Sequence, residues 1–455
     1  MAIIAKLKAL LEKGHARSVV ARKNILLSMA YKFIGMAIGF AYYPISIDYL
    51  SSAQFGIFIT LETFIDWFAF MDIGIGKGLR NMIGGAFAND EKELARSYVS
   101  TAYFIIGAIF AGLIILFIGI SFFVDWSSVL NTDPKMRKDL TYLVIIVFVA
   151  FSLRFVSSMV YEVFNAFQQT SKVDLFNMVG KVVFLLAILL LISFVAPSLL
   201  YFGIARSFAF ASVPIVVAIY FFRTKFRDLA PSFKYFDIKH AKSLTTLGIK
   251  FFFIQIALLV INETNYYLIL KLIDPEAVTP YATAFKYYSI VVFGFSVAAN
   301  PLWAAYIEAY EKRDFEWVRR TIKKMLKVWT VALGVMMVMV AVSPWVFELW
   351  VGEEIESQIP YSLSILIAMM IMIANWNSVF NLFINGTGKI RLQMWATFGI
   401  GLINIPLCIL LAKGFDMGTN GVVLGSVISL LLMAILSPIQ VSKILNGTDK
   451  GIWGK

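Results

Sequence analysis

Long, uninterrupted apolar runs recur along the 455-residue chain and are separated by short breaks marked by charges or by Gly and Pro. The runs do not alternate apolar with polar residues, so they predict helices rather than half-buried strands. Most reach about 20 residues, the length that spans the hydrocarbon core of a bilayer. About twelve spans are predicted, six in each half: 24–50, 55–75, 96–123, 140–167, 173–195 and 199–222, then 244–270, 279–303, 320–345, 359–385, 392–412 and 419–442.

The composition agrees with a membrane protein, since 60% of the residues are hydrophobic and only 15% are charged. A water-soluble chain could not cover that much apolar side chain with polar surface. Backbone groups in lipid must be hydrogen-bonded internally, which makes the predicted fold all-α. The single cysteine, Cys408, and the two histidines, His15 and His240, are too far apart to suggest a disulfide framework or a Cys/His metal site.

Lysine and arginine are distributed unevenly between the two sides of the predicted membrane topology. With a cytoplasmic amino terminus, inner segments hold 29 of the 40 and outer loops hold 5. This bias predicts that both termini are cytoplasmic. It also accounts for most of the net charge of +12, so anionic lipid headgroups rather than nucleic acid are the expected partners. The basic segment 1–23 lacks the features of a cleaved signal peptide; it is either an amphipathic helix on the inner face or a disordered tail.

The two halves resemble copies of one another. The segment Phe164–Leu175 matches Phe380–Leu392 at both Phe, Asn, Thr, Lys and Leu with one inserted residue, and a weaker echo pairs Ala86, Glu93 and Arg96 with Ala309, Glu316 and Arg319. Six spans per copy give both copies the same orientation, which predicts two six-helix lobes related by a parallel repeat, with a cavity between them. The predicted lobes are 24–222 and 244–442, joined by a cytoplasmic linker 223–243 and followed by a cytoplasmic tail 443–455.

Several ionisable residues fall inside predicted spans, where a charge at the centre costs roughly 2.5–3.5 kcal/mol. The cations are Lys32, Arg154, Lys181, Arg206, Lys250 and Lys286, and the acids are Glu62, Asp66, Asp72, Glu162 and Glu263. Some share a helix face with other polar residues at spacings of three or four. The resulting polar stripes are Arg154/Ser158/Tyr161/Asn165, Lys286/Ser289/Ser296/Asn300, Asp174/Asn177/Lys181, Glu62/Asp66 and Asn377/Asn381/Asn385.

Stripes of this kind favour a water-filled cavity, although structural explanations remain open for some members. Lys32, Lys250 and Lys286 can extend to the membrane interface. Glu162 can pair with Lys181, and the three asparagines can serve as interhelical hydrogen-bond partners. If the six cations converge, they suit a polyanion such as a diphosphate, whose several acceptor oxygens match ammonium and guanidinium donors. A diphosphate on a lipid carrier fits a cavity that opens to the bilayer.

Several stretches resemble the polysaccharide (O-antigen, Wzx-type) flippases of the multidrug/oligosaccharidyl-lipid/polysaccharide (MOP) exporter superfamily. The stretches are Asp72-Ile-Gly-Ile-Gly-Lys-Gly-Leu-Arg-Asn81, Asn300-Pro-Leu-Trp-Ala-Ala-Tyr-Ile-Glu-Ala-Tyr310, Asn385-Gly-Thr-Gly-Lys-Ile-Arg-Leu-Gln393, Asn404-Ile-Pro406 and Gly418-Thr-Asn-Gly421. Each motif alone is weak, and their order and spacing over nearly the whole chain carry the resemblance. No strand precedes either glycine cluster, so a nucleotide-binding loop is not indicated.

The resemblance implies a MATE/MOP-like fold in a bacterial cytoplasmic (inner) membrane and transport by alternating access. The implied substrate is a polyprenyl-diphosphate-linked oligosaccharide, with membrane lipids and other polysaccharide-assembly proteins as further partners. No cofactor is implied beyond coupling to a proton or sodium gradient. The implied substrate-binding residues are Arg154, Lys32, Lys181, Arg206, Lys250 and Lys286, and the implied coupling residues are Glu62, Asp66 and Glu263.

Two other functions of the same superfamily stay open on the sequence, a multidrug or cation antiporter and a lipid II flippase. A membrane enzyme of the same pathway is disfavoured, because the longest predicted outer loop, 124–139, offers only Asp125, Asp133 and Asp139 as acids. The chain is therefore not expected to be an enzyme.

Overall fold

The structure, a computed structural model, describes residues 16–68, 75–241, 264–299 and 302–454. Every regular element within these ranges is helical. The first half contains α1 (Ala16–Tyr49), α2 (Ser52–Asp66), α3 (Ile75–Ala88), α4 (Lys92–Ser121), α5 (Arg137–Ala166), α6 (Thr170–Phe194) and α7 (Leu199–Arg223). The second half contains a helix over residues 264–272, followed by α8 (Val278–Ala299), α9 (Leu302–Glu311), α10 (Phe315–Val351), α11 (Tyr361–Thr387), α12 (Arg391–Ile409) and α13 (Gly418–Leu445).

Ten helices in the described part of the chain are long and apolar enough to cross a membrane. They correspond to the first, the third to sixth and the eighth to twelfth predicted spans. The seventh predicted span lies mostly outside the described residues, and so does the segment 69–74 of the second. The all-α membrane fold is therefore confirmed, while the number twelve stays a prediction.

Two helices were not predicted, α3 and α9, each of which follows an early span of its half. Polar residues such as Lys77 and Arg80 interrupt the apolar run in α3, so hydropathy predicted a loop after residue 75. In α9, Tyr306 and Ala309 are buried. Both helices end just before a span that begins with charged residues. The two halves thus share a helix that the apolar pattern alone did not reveal.

The turns that end α3 and α9 have the same geometry. In each turn a non-glycine residue adopts a positive φ, 60° at Asp90 and 56° at Arg313. The amide of the next residue donates to the carbonyl oxygen five residues earlier at 2.9 Å, Glu91 to Ala86 and Asp314 to Ala309. These are the positions at which the sequence predicted an internal repeat, so the local structure supports duplication.

One arginine in each half hydrogen-bonds the chain at or just beyond the end of the last helix of that half. Arg96 Nε donates to the carbonyl of Ala230 at 3.1 Å. Arg319 Nη2 donates to the carbonyl of Leu445 at 2.8 Å and to Asn446 Oδ1 at 2.9 Å. Arg96 and Arg319 were paired in the predicted repeat, and their matching contacts give that pairing a physical reason.

The carboxyl-terminal tail folds back beside the turn between α11 and α12. Lys389 forms a short ion pair with Asp449, and Gln440 Nε2 donates to the carbonyls of Lys389 at 2.9 Å and Trp453 at 3.2 Å. Burial opposes the charge on Lys389, but hydrogen bonds to Asp449 and Tyr310 outweigh burial and raise the pKa of the lysine.

We expect Arg319→Ala to destabilise the second half, because it removes a charged donor from two acceptors at the end of α13. The expected cost is about 1 kcal/mol, since the side chain is exposed. Thermal unfolding of the detergent-purified protein, followed by tryptophan fluorescence, measures the effect. Arg320→Ala is the matched control, because Arg320 only pairs with exposed Glu316 at 3.9 Å. Equal unfolding temperatures for the two variants would contradict this role.

Contacts divide the chain into two compact units. The first comprises Met1–Ser51 and Ile65–Phe252, and the second comprises Ser52–Phe64 and Phe253–Lys455. Most of α2 therefore packs in the second unit, where Thr279 Oγ1 donates to the Ser52 carbonyl at 2.7 Å. A Cβ on Gly56 would lie 2.2 Å from the carbonyl oxygen of Pro275, so glycine permits this packing. The boundaries of the predicted lobes stay a prediction.

Small residues let α12 and α13 approach closely in the second unit. A Cβ on Gly421 would lie 2.6 Å from Ala412 N, and one on Gly425 would lie 2.6 Å from Cys408 Sγ. Asn404, buried between the same helices, donates to Ser429 Oγ at 3.1 Å. The Gly418–Gly421 and Asn404–Pro406 motifs thus have a packing role, as small residues and interhelical polar contacts do in membranes.

Candidate functional site

Four of the six predicted cations lie on four different helices of the first unit: Lys32 on α1, Arg154 on α5, Lys181 on α6 and Arg206 on α7. Lys286 is half-buried on α8 of the second unit. Lys250 and the predicted coupling acid Glu263 lie outside the described residues. Convergence of all six cations therefore stays a prediction.

Lys181 and Arg206 are neighbours within the first unit. Lys181 extends over Gly35 of α1, with Nζ 3.6 Å from the position that a Cβ on Gly35 would occupy. The lysine and Arg206 are close enough to interact electrostatically. Two like charges at close range disfavour each other and favour an anion that contacts both.

Aromatic rings surround the guanidinium of Arg206. Its Cζ lies 4.8 Å from the ring centroid of Phe210, 5.0 Å from Phe184 and 5.8 Å from Tyr42. Cation–π attraction of this kind is strongest where water is excluded. These three rings restrict where the guanidinium of Arg206 can lie.

Lys32 is paired with an acid at one end of the predicted Asp174/Asn177/Lys181 stripe. Its Nζ lies 3.8 Å from Asp174 Oδ1, and the lysine side chain is 49% exposed. Ser28 also donates a short hydrogen bond to Asp174. Asp174 is only 15% exposed, so the pair is open to solvent on the lysine side alone, and its length of 3.8 Å makes it a weak one.

Arg154 lies beside a predicted coupling acid. Its Nη2 is 3.9 Å from Asp66 Oδ1, and the two side chains are 39% and 57% exposed. The guanidinium also lies 5.8 Å from the ring centroid of Phe151. The structure thus brings together one residue predicted to bind an anion and one predicted to carry a coupling ion.

The second predicted acid on α2, Glu62, is half-buried and falls in the second unit by its contacts, whereas Asp66 falls in the first. In the predicted Lys286 stripe, Ser289 and Ser296 donate to carbonyls of their own helix, Lys286 at 2.6 Å and Phe293 at 2.7 Å. Those hydroxyls are satisfied locally.

The three asparagines of α11 have a mixed role. Asn377 Nδ2 donates to the carbonyl of Leu430 at 3.2 Å, and Asn381 Oδ1 accepts from Ser437 at 2.9 Å, so both link α11 to α13 as predicted. The same asparagines also line a cavity of about 350 Å³ in the second unit, together with Gln393 and Thr397 of α12. Sequence reasoning missed these two residues, because uncharged polar side chains in a span give only a weak signal.

Comparison with known proteins gives a family match and several relatives. A family model described as "Polysaccharide biosynthesis protein" matches residues 21–302, more than half of the chain. A protein of Salmonella typhimurium named as a candidate O-antigen transporter is 22% identical over 407 residues, which cover 85% of this chain and 88% of that protein. A protein of Salmonella typhi with the same name is 21% identical over 77% of this chain and 79% of that protein.

Solved structures show the same fold at low sequence identity. The inward-facing conformation of a multidrug resistance MATE family transporter of the MOP superfamily has a TM-score of 0.76, is 12% identical and covers 94% of this chain and 99% of that one. The lipid II flippase MurJ in its inward closed conformation has a TM-score of 0.70, is 14% identical and covers 93% of this chain and 90% of that one. The predicted resemblance is confirmed, and these relatives are transporters rather than enzymes.

Proposed function

The chain belongs to the polysaccharide biosynthesis protein family, and on that basis we propose that it is a flippase for a lipid-linked oligosaccharide. The substrate would be a polysaccharide or O-antigen repeat unit on a polyprenyl diphosphate, moved across the cytoplasmic membrane by alternating access. The observation that carries the proposal is the match to two O-antigen transporter relatives along most of their length.

The charges of the first unit support an anionic headgroup. Lys32, Arg154, Lys181 and Arg206 supply four positive charges to the first unit, and two of these cations pair with acids, Lys32 with Asp174 and Arg154 with Asp66. At Lys181 and Arg206, a diphosphate would relieve the repulsion between two like charges. A cationic drug would instead add to that repulsion, so these residues favour the flippase over the multidrug antiporter.

Orientation and coupling complete the proposal. The Lys/Arg bias supports cytoplasmic termini. In this proposal the headgroup enters from the cytoplasmic side. Protonation of Asp66 would remove the partner of Arg154 and leave the guanidinium to bind a phosphate. Asp66 and the substrate would compete for the same cation, Arg154. Binding of a proton to Asp66 would therefore favour binding of the substrate, which would link transport to the proton gradient.

Expression in a bacterial host that lacks its own O-unit flippase tests the proposed function. We expect surface glycan to return when the chain is present, as measured by electrophoresis of extracted glycolipid. The same host, also stripped of its drug pumps, should gain no resistance to cationic dyes. Dye resistance without restored glycan would overturn the proposal in favour of a multidrug antiporter.

A further inference from the structure

The second unit contains a cavity in which amide and hydroxyl side chains lie among apolar ones and the described lining carries no charge, in contrast to the cationic first unit. Its volume is about 350 Å³, and side chains from α8, α11, α12 and α13 line it. The lining includes Ser296, Asn375, Asn377, Asn385, Gln393 and Thr397. Among the described residues that line it there is no Asp, Glu, Lys, Arg or His. A cavity of this size and composition in a membrane helix bundle calls for a polar, neutral occupant.

Amide groups around this cavity lack hydrogen-bond partners among the described residues. The unpaired atoms are one donor, Asn375 Nδ2, and three acceptors, Asn377 Oδ1, Asn385 Oδ1 and Gln393 Oε1. The side chains of Asn375, Asn377 and Gln393 are buried, with 4%, 6% and 5% exposed. Buried polar atoms without partners are costly and rare in folded proteins. Such a cluster points to a ligand that completes the hydrogen bonds.

The chemistry of the unpaired atoms limits what that ligand can be. The site offers both a donor and acceptors, so the ligand must both accept and donate hydrogen bonds, as a hydroxyl group does. A metal ion only accepts electron pairs, so it would leave the Asn375 Nδ2 donor without a partner. Water occupies about 30 Å³ per molecule, so the cavity is far larger than one ion needs and lies in the range of small-molecule sites.

The remaining walls of the cavity are apolar. Phe295, Ile400 and Met433 lie between the amide-bearing side chains. A sugar ring presents hydroxyl groups at its edge and C–H groups on its faces, so it can satisfy amides and apolar walls together.

The unpaired amide atoms are covered in this structure. To reach a sugar ring, the amides of Asn375, Asn385 and Gln393 turn about their terminal torsions, which have broad energy minima. In contrast, Asn377 keeps its bond to Leu430 and offers Oδ1.

We propose that this amide-lined cavity is a binding site for one neutral sugar ring of the glycan. The inference deepens the proposed function and rests on it for the nature of the ligand. The two units then bind different parts of the substrate. Cations of the first unit bind the phosphate, and amides of the second unit bind a sugar ring. Gln393 and Asn377 select hydroxyl positions on the ring.

Saturation-transfer NMR on the purified full-length protein in detergent tests this site without requiring transport. The ligands are the methyl glycosides of glucose, galactose, mannose, rhamnose, N-acetylglucosamine and N-acetylgalactosamine, each in sodium chloride and in choline chloride. We expect transfer to the ring protons of at least one glycoside in both salts. Gln393→Leu and Asn377→Leu should bind it roughly fivefold more weakly, as expected for one lost neutral hydrogen bond.

The matched control is Gln358→Leu, since Gln358 is an exposed amide of the same unit and does not line this cavity. Its binding should equal that of the unmodified protein. No transfer to any glycoside, or equal transfer in all variants, would overturn the site. Sodium-dependent thermal stabilisation that Gln393→Leu abolishes, without sugar binding, would make it an ion site instead. Sugar binding without restored surface glycan would refute only the proposed function, and restored glycan without sugar binding would refute only this site.

Discussion

Arg154→Ala should abolish surface-glycan export while the protein remains in the membrane at its normal level. Arg154 is half-exposed, and its ion pair with Asp66 is long at 3.9 Å, so its charge can serve a substrate headgroup. Loss of a charge-assisted hydrogen bond costs about 1.5–3 kcal/mol, which corresponds to a roughly 10- to 150-fold loss in binding. Export is measured by electrophoresis of glycolipid in the flippase-deficient host, at protein levels matched by immunoblot.

Two further variants separate substrate binding from simple charge pairing. If the defect came from an unpaired carboxylate, the double variant Arg154→Ala/Asp66→Asn would bind the lipid-linked oligosaccharide as tightly as Asp66→Asn alone; we expect the double variant to bind it more weakly. Arg137→Ala serves as the matched control, because Arg137 also forms a 3.8 Å pair, with Asp125, outside the predicted spans. Normal export by Arg154→Ala would remove Arg154 from the site.

Gly421→Leu should prevent the second unit from folding. A Cβ at this position would lie 2.6–2.7 Å from backbone atoms of Leu411 and Ala412, which cannot move aside as a flexible side chain could. Overpacking of this kind costs about 3 kcal/mol or more, because α12 and α13 must separate. Fluorescence size-exclusion chromatography of the detergent extract should show aggregated protein in place of a single folded peak.

Gly399→Leu is the control for this packing argument. Gly399 lies in the neighbouring helix α12, and among the described residues no atom outside its own helix lies within 4 Å of the position that its Cβ would occupy. The Gly399→Leu variant should give the same folded peak as the unmodified chain. A folded, active Gly421→Leu variant would show that the close approach of the two helices is not required.

The apolar runs in the sequence predicted the membrane-spanning helices. The prediction failed for helices whose sequences are not continuously apolar. Long spans such as α4 and α11 follow from hydrophobic length alone. The helices α3 and α9 were missed because polar residues interrupt their apolar pattern. The sequence paired Arg96 with Arg319 in the predicted repeat. Their matching contacts give this pairing a structural reason that the sequence alone did not show.

For the site, residue type and position predicted which charges matter but not their partners. A cation within a span is conspicuous because it is costly, and Arg154 and Arg206 were found for that reason. The rings around Arg206 and the contact of Arg154 with Asp66 depend on how α2, α5, α6 and α7 pack. The amide-lined cavity arises from residues of four helices, of which the sequence singled out the Asn377/Asn381/Asn385 stripe of α11 but not Gln393 and Thr397 of α12.

The most direct test of the central claim is transbilayer movement of a lipid-linked oligosaccharide in vesicles that contain only this protein and lipid. The substrate is extracted from the host whose surface glycan the chain restores, and its outward-facing fraction is measured with a membrane-impermeant periodate reagent under an imposed proton or sodium gradient. We predict that the fraction changes with time in protein-containing vesicles and stays constant in protein-free vesicles and in those with Arg154→Ala. The same constant fraction with the unmodified chain, together with movement of a cationic dye, would contradict the account.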